Sequence, residues 1–177
     1  EFRRVLFRSE YILLDLTEVI LNDGKVIHRE VTLELTSLKY RFGDFQIQKA
    51  TPVELTIENI GERKLSVNGK VHLTVCIPCA RCLEPTASGL DIQFENELDV
   101  NDEDYIEGYS LNVDQLVHDE ALLVWPERVL CRKDCKGLCS TCGQNLNHGS
   151  CSCRPTDLDP RMAKILDIFS QAGNGKG

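Results

Sequence analysis

The chain has 177 residues, of which 42% are hydrophobic and 27% charged. That composition suits a soluble globular protein of one domain, or one domain with a small appendage, with enough residues for a core that needs no network of cross-links. Ordinary Gly and Pro contents exclude collagen-like and low-complexity chains, no apolar run approaches the roughly 18 residues of a membrane-spanning helix, and a net charge of −8 excludes a uniformly basic nucleic-acid binder while leaving room for a local basic face.

In chain order, Glu1–Ser9 comes first, with three Arg and no pattern that continues past Ser9. It is expected to be a non-native leader and is set aside from fold reasoning. The rest divides into a β-rich body with a closing helix over 10–126, then a cysteine-rich segment with a terminal helix over 127–177. Val31, Leu33 and Leu35 alternate with Thr32, Glu34 and Thr36, the period of a half-buried strand. Val53, Leu55 and Ile57 repeat it, as do Leu90, Ile92 and Phe94. Leu65 and Val67 lead into Asn68-Gly69, and Val71, Leu73 and Val75 come next. Asn-Gly between two alternating runs predicts a hairpin turn there, because both residues tolerate positive φ. Phe42-Gly43-Asp44 and Ile60-Gly61-Glu62 read as turns.

Glu95–Glu107 holds seven acids and no base and reads as a solvated strand end and loop. A helix is predicted over Asn112–Trp125. Asn112 caps it with Gln115 as its capping-box partner, an apolar stripe runs through Val113, Leu116, Val117 and Leu123-Val124, and Pro126 ends it. His118 is expected to face solvent or pair with Asp114. A last helix is predicted from Asp159-Pro160, with Met162, Ile165, Leu166 and Phe169 as a packing stripe. Charge splits along the chain: residues 1–126 hold 12 basic and 23 acidic side chains, residues 127–177 hold 8 and 5. The cysteine-rich end is the basic end.

Six of the nine cysteines fall in that end: Cys131, Cys135, Cys139, Cys142, Cys151 and Cys153. Cys139-Ser140-Thr141-Cys142-Gly143 is the tightest piece. Two residues between thiolates let backbone amides point at the sulfurs, and Gly accepts the tight end of the turn. Cys151 and Cys153 can fold back onto this knuckle across the Asn145–Gly149 loop. Four thiolates predict a closed, structural Zn²⁺ site at Cys139, Cys142, Cys151 and Cys153, with Cys135 and Cys131 as alternates. His148 could replace one ligand, and an iron–sulfur cluster would use the same four residues. Disulfides fit less well, since the cysteine number is odd and the clusters are local. A thioredoxin-like pair would have to open a helix, and Gly143–Asn147 is loop-like. Arg132, Lys133, Lys136 and Arg154 flank the cluster, either to compensate thiolate charge or to meet nucleic acid.

A second group is Cys76, Cys79 and Cys82. On a continuous strand, residues three apart point to opposite faces, so Pro78 must break the strand before these thiols can share an ion. With no companion pair nearby in sequence, the group reads as a second metal site, as ligands lent to the first, or as a buried turn of small thiols. Arg81 could bind phosphate or pair with Glu84. The four histidines are scattered, and there is no phosphate loop or nucleophile constellation, so no enzyme is expected.

The motifs Cys79-Ala-Arg-Cys82-Leu-Glu, a helix ending at Trp125-Pro126, Cys131-x3-Cys135-Lys-Gly-Leu-Cys139-x2-Cys142-Gly-x-Asn145-Leu-Asn, Cys151-x-Cys153 and Asp159-Pro-Arg together resemble the YceD-like family of large ribosomal RNA subunit accumulation proteins, in the version with a C-terminal cysteine cluster. The resemblance runs from about Leu14 to Phe169. It implies a cytoplasmic bacterial factor with plastid relatives that supports synthesis, processing or stability of large-subunit (23S) ribosomal RNA without catalysis. It also implies a role for Cys79, Arg81 and Cys82 that is not tied to zinc, since some relatives lack the second cluster. Cys76 lies outside the family pattern.

The expectation is therefore an α+β protein: an antiparallel β-rich body, a helix, a C-terminal zinc knuckle and a terminal helix. As a ribosome-assembly factor it would contact RNA phosphates through Arg128, Arg132, Lys133, Lys136 and Arg154. The rival is a zinc-stabilised adaptor or chaperone for a basic ribosomal protein, with no direct RNA contact. A thiol oxidoreductase would need Cys139 or Cys142 exposed, metal-free and low in pKa.

Overall fold

In the computed structural model, which describes residues 12–153, the alternating valines and leucines become antiparallel strands. In chain order these are β1 (Leu13–Asp15), β2 (Val26–Val31), β3 (Ser37–Tyr40), β4 (Gly43–Ala50), β5 (Val53–Gly61), β6 (Lys64–Pro78), β7 (Pro85–Asp99), β8 (Ile106–Glu107) and β9 (Ser110–Asn112). Two helices are described, a single turn α1 (Thr17–Ile20) and the eleven-residue α2 (Val113–Leu123). The described residues form two units, 12–80 with 84–131 and 81–83 with 132–153.

Strand β6 organises the first unit. Along one edge it pairs with β7 from Lys64↔Asp99 to Pro78↔Pro85. Its other edge takes β5 over Lys64–Lys70 and then β4 over Leu73–Val75. β2 extends the sheet beyond β5, and β3 beyond β4. A separate three-stranded sheet runs β1-β9-β8. Because side chains alternate between faces, Leu65, Val67, Val71, Leu73 and Val75 share one face of β6 with Leu90, Ile92 and Phe94 of β7. All are buried and join Leu55, Ile57, Leu116 and Val117 in one apolar core.

Asn68-Gly69 makes no turn. β6 runs straight through it, paired to both neighbours, and Gly69 sits on the core face opposite Phe94. A Cβ there would fall within the Phe94 ring, so the missing side chain is what lets the ring lie across β6. The chain reverses instead at Glu62-Arg63, both with positive φ (51° and 62°). That is the twist-matched two-residue hairpin, built from residues that carry a steric cost in it.

The alternation at Val31–Thr36 persists as burial but not as a strand. β2 ends at Val31, and Leu33 and Leu35 pack on the core without ladder partners. The backbone N–H of Glu34 goes to Asp114 Oδ1 (3.2 Å). Asp114 also accepts from Ile12 N (3.0 Å) and is 2% exposed, so it is a structural carboxylate rather than a partner for His118. His118 meets Asp119 Oδ1 at 2.9 Å and the Lys39 carbonyl at 3.2 Å.

Asn112 caps α2 as predicted, accepting from Gln115 N at 3.0 Å. The reciprocal half of the box does not form: Gln115 Nε2 donates to Asp119 Oδ2, and Asn112 N donates to the Tyr105 carbonyl. The helix ends at Leu123, and Leu123 and Val124 are exposed instead of continuing the stripe. β7 carries the first acids of Glu95–Glu107, with Glu95, Glu97 and Asp99 all exposed. The expected leader, Arg154 and the Asp159-Pro160 helix lie outside the described residues.

Candidate metal centre

The second unit has little apolar interior: among its described residues the buried side chains are the thiols of Cys82 and Cys135. Its backbone is a run of tight turns. Leu138 and Asn145 form one antiparallel bridge. Cys139 N donates to the Gln144 carbonyl (2.8 Å), and Gly143 N donates back to the Cys139 carbonyl (2.9 Å). Gly143 closes this knuckle at φ +74°, a conformation that suits Gly.

The knuckle aims its amides at sulfur. Backbone N–H groups of Cys142 and Thr141 reach the Cys139 thiol, and with a hydrogen bond from Cys151 they pull it down to about 6. Cys153 is pushed up to about 12, first by its hydrogen bond with the Cys142 thiol and then by burial. The sulfurs of Cys139, Cys142, Cys151 and Cys153 all lie within 4.8 Å of one another. A tetrahedral ion with metal–sulfur bonds of about 2.3 Å places its sulfurs about 3.8 Å apart, which this group can meet. Four sulfurs this close oppose one another's ionisation, and a dication removes that opposition.

The other thiols also gather. β6 stops at Pro78, and a turn closed by Cys79 N to the Glu84 carbonyl (2.8 Å), with Leu83 at φ +62°, frees Cys79 and Cys82 from strand geometry. The sulfurs of Cys79, Cys82, Cys131 and Cys135 lie within 4.8 Å of one another. Cys79, Cys82 and Cys135 are buried. Cys131 and Cys135, the alternates for the knuckle, thus belong to a different group. Cys76 stays on β6 in neither group, and His148 is in neither. None of the nine cysteines is in a disulfide. Both four-thiol groups could hold a metal ion.

Asn147 braces Cys135. Its Nδ2 donates to Cys135 Sγ (3.3 Å), while its Oδ1 accepts from Arg132 Nη2 (2.8 Å) and Lys136 N (2.9 Å). Arg81 Nη1 donates to the Cys135 carbonyl (2.9 Å), a structural role that neither a phosphate nor Glu84 anticipates. The turn needs Gly137, at φ +76°, because a Cβ there would stand 3.1 Å from the Arg81 carbonyl. Sequence reasoning missed the pairing of Cys79 and Cys82 with Cys131 and Cys135. The signal was present: Cys79-x2-Cys82 has the spacing of the knuckle, and Cys131 and Cys135 were the two cysteines left over. Of the predicted RNA-contact residues, Arg128, Arg132, Lys133 and Lys136 are exposed, though Arg132 is engaged by Asn147 and, at 3.6 Å, by Asp134.

An antiparallel β-rich unit joined in sequence to a turn-rich unit with clustered thiols defines a β-rich protein with metal-type cysteine groups. The chain belongs to the family described as large ribosomal RNA subunit accumulation protein YceD, whose profile matches residues 67–169. The resemblance drawn from its motifs is thereby borne out. An uncharacterised protein of Mycobacterium tuberculosis is 28% identical over 128 residues, covering 66% of this chain and 61% of that protein. A chloroplastic large ribosomal RNA subunit accumulation protein YCED homolog 1 of Zea mays is 24% identical over 166 residues, covering 69% of this chain and 55% of its own. The Arabidopsis thaliana protein of the same name is 24% identical over 165 residues, covering 72% and 51%. The chain thus spans between about half and three fifths of these relatives' lengths. No solved structure matches it. Among the described residues, no helix is long and apolar enough to cross a membrane.

Proposed function

We propose that this protein is a non-catalytic factor of large-subunit ribosome assembly that binds 23S ribosomal RNA, or a particle containing it, in the bacterial cytoplasm. The observation that carries this is the cysteine-rich unit: a four-thiol knuckle beside exposed Lys133 and Lys136, in a chain of this family. Zinc is the ion we assign to Cys139, Cys142, Cys151 and Cys153, since four clustered thiolates favour it. The zinc would fix the turns that hold the basic side chains outward, supplying folding energy that the unit's few apolar residues cannot. The low-lying Cys139 thiol suits a ligand that must bind as thiolate.

The placement of three of the four imidazoles supports the non-catalytic reading. His28 meets Thr56, His72 meets Asp91 and His118 meets Asp119, each a local hydrogen bond far from the knuckle in sequence.

A second reading is an adaptor that holds a basic ribosomal protein. The exposed acids Glu95, Glu97 and Asp99 on β7 favour it, and so does the engagement of Arg132 within its own unit. Binding of the zinc-loaded chain to 23S ribosomal RNA across salt concentrations separates the two. A footprint of about five phosphates gives a log–log salt slope of roughly −3 to −5, and reversing Lys133 and Lys136 to Glu flattens it. Absence of binding at low salt overturns the RNA reading in favour of the adaptor.

A further inference from the structure

We infer that the aromatic cluster at the β3–β4 hairpin is a stacking platform for unpaired RNA bases; the inference rests on the RNA-binding reading above and locates base contact in the β-rich unit. Seven aromatic residues are described, and four of them meet here. Trp125 lies against Tyr40 (ring centroids 5.2 Å apart, planes 30° apart) and against Phe45 (4.9 Å). Tyr40 in turn meets Phe42 edge to face at 5.5 Å. Three of these rings are half-buried, but Phe42, at the tip of a two-residue loop, is 75% exposed. The core gains little from a ring in that position.

Arg41 holds the tip in place. Its guanidinium stands 4.9 Å from the Phe42 centroid and 5.4 Å from that of Tyr40, within reach of a cation–π attraction. The rings open onto a cavity of about 460 Å³ that Arg128 also lines, with Glu127 as the one acid and Ile77 and Val129 as its apolar floor. That volume is in the range of small-ligand sites. Stacked rings of graded exposure with two guanidinium groups beside them are complementary to a flat aromatic base on an anionic backbone. Duplex RNA hides its base faces, so the ligand that fits is single-stranded RNA, a loop or an end. The sequence pattern hides the site because Tyr40 and Phe45 lie on β3 and β4 while Trp125 follows α2, about eighty residues further on.

The chain's single tryptophan is Trp125, which makes the site observable. Titrating the full zinc-loaded chain with an unstructured, mixed-sequence RNA 8-mer is expected to quench its fluorescence saturably, whereas a hairpin-closed duplex of equal charge is not. Phe42→Ala, at an exposed position, is expected to weaken 8-mer binding roughly tenfold at every salt concentration, and Phe42→Tyr to restore it. Arg128→Met is expected to lower the salt slope by about one. If 23S RNA binds but Phe42→Ala binds equally well and Trp125 does not respond, the platform is overturned while the RNA reading stands. If no RNA binds, both fall. Quenching by a basic peptide with none by RNA overturns the platform in favour of a protein occupant.

Discussion

The β-rich unit and the cysteine-rich unit solve the same problem by different physics. The first buries two dozen apolar side chains, among them Leu55, Ile57, Leu73 and Ile92, in one cluster spread over most of its strands and α2. Desolvation of that surface is its driving force. The second buries thiols instead, and its turns are held by backbone bonds, by Asn147 and by sulfur geometry. One unit is stable because of what it hides from water. The other has thiols placed so that they could take an ion, and we propose that its stability rests on one.

Removal of a bound metal is expected to have the greatest effect. A strong chelator is expected to unfold residues 132–153 and leave the β-rich unit intact, since structural zinc contributes roughly 10–16 kcal/mol in comparable small sites. Amide exchange resolved by segment checks it: fast exchange across Cys139–Asn147 with protected β6 and β7 is expected, and protection that survives chelation refutes it. Next in size is the converse experiment. Ile57→Ala leaves a cavity in the first core and is expected to cost about 2–5 kcal/mol in denaturant unfolding of that unit, with zinc content unchanged. Gly69→Ala is expected to cost about 1–3 kcal/mol, because the Phe94 ring must move aside. The smallest effect is a gain. Placing Asn at Glu62 and Gly at Arg63 is expected to stabilise the unit by up to about 1 kcal/mol, since both positions have positive φ. A loss there would contradict the turn assignment.

The last two substitutions show where the sequence was legible and where it misled. Alternation located the strands and their inward faces at Val53–Ile57, Leu65–Val75 and Leu90–Phe94, because burial repeats every second residue whatever the pairing. It could not say that Leu33 and Leu35 lack ladder partners, since that depends on Asp114, distant in sequence, taking the Glu34 amide. Asn68-Gly69 has the chemistry of a turn, but Gly there serves a close approach by Phe94, a tertiary demand that overrides local preference. The knuckle was legible because Cys139, Cys142, their amides and Gly143 lie within five consecutive residues. The grouping of Cys79 and Cys82 with Cys131 and Cys135 was not, because about fifty residues separate the two pairs.

Whether an ion holds the cysteine-rich unit together is tested by the metal content of the purified full chain beside its Cys142→Ser variant, with protease resistance read in parallel. The variant is expected to lose one zinc per chain, and its residues 132–153 to become sensitive to cleavage while the β-rich unit stays resistant. Equal zinc content and equal resistance in the two proteins would contradict it.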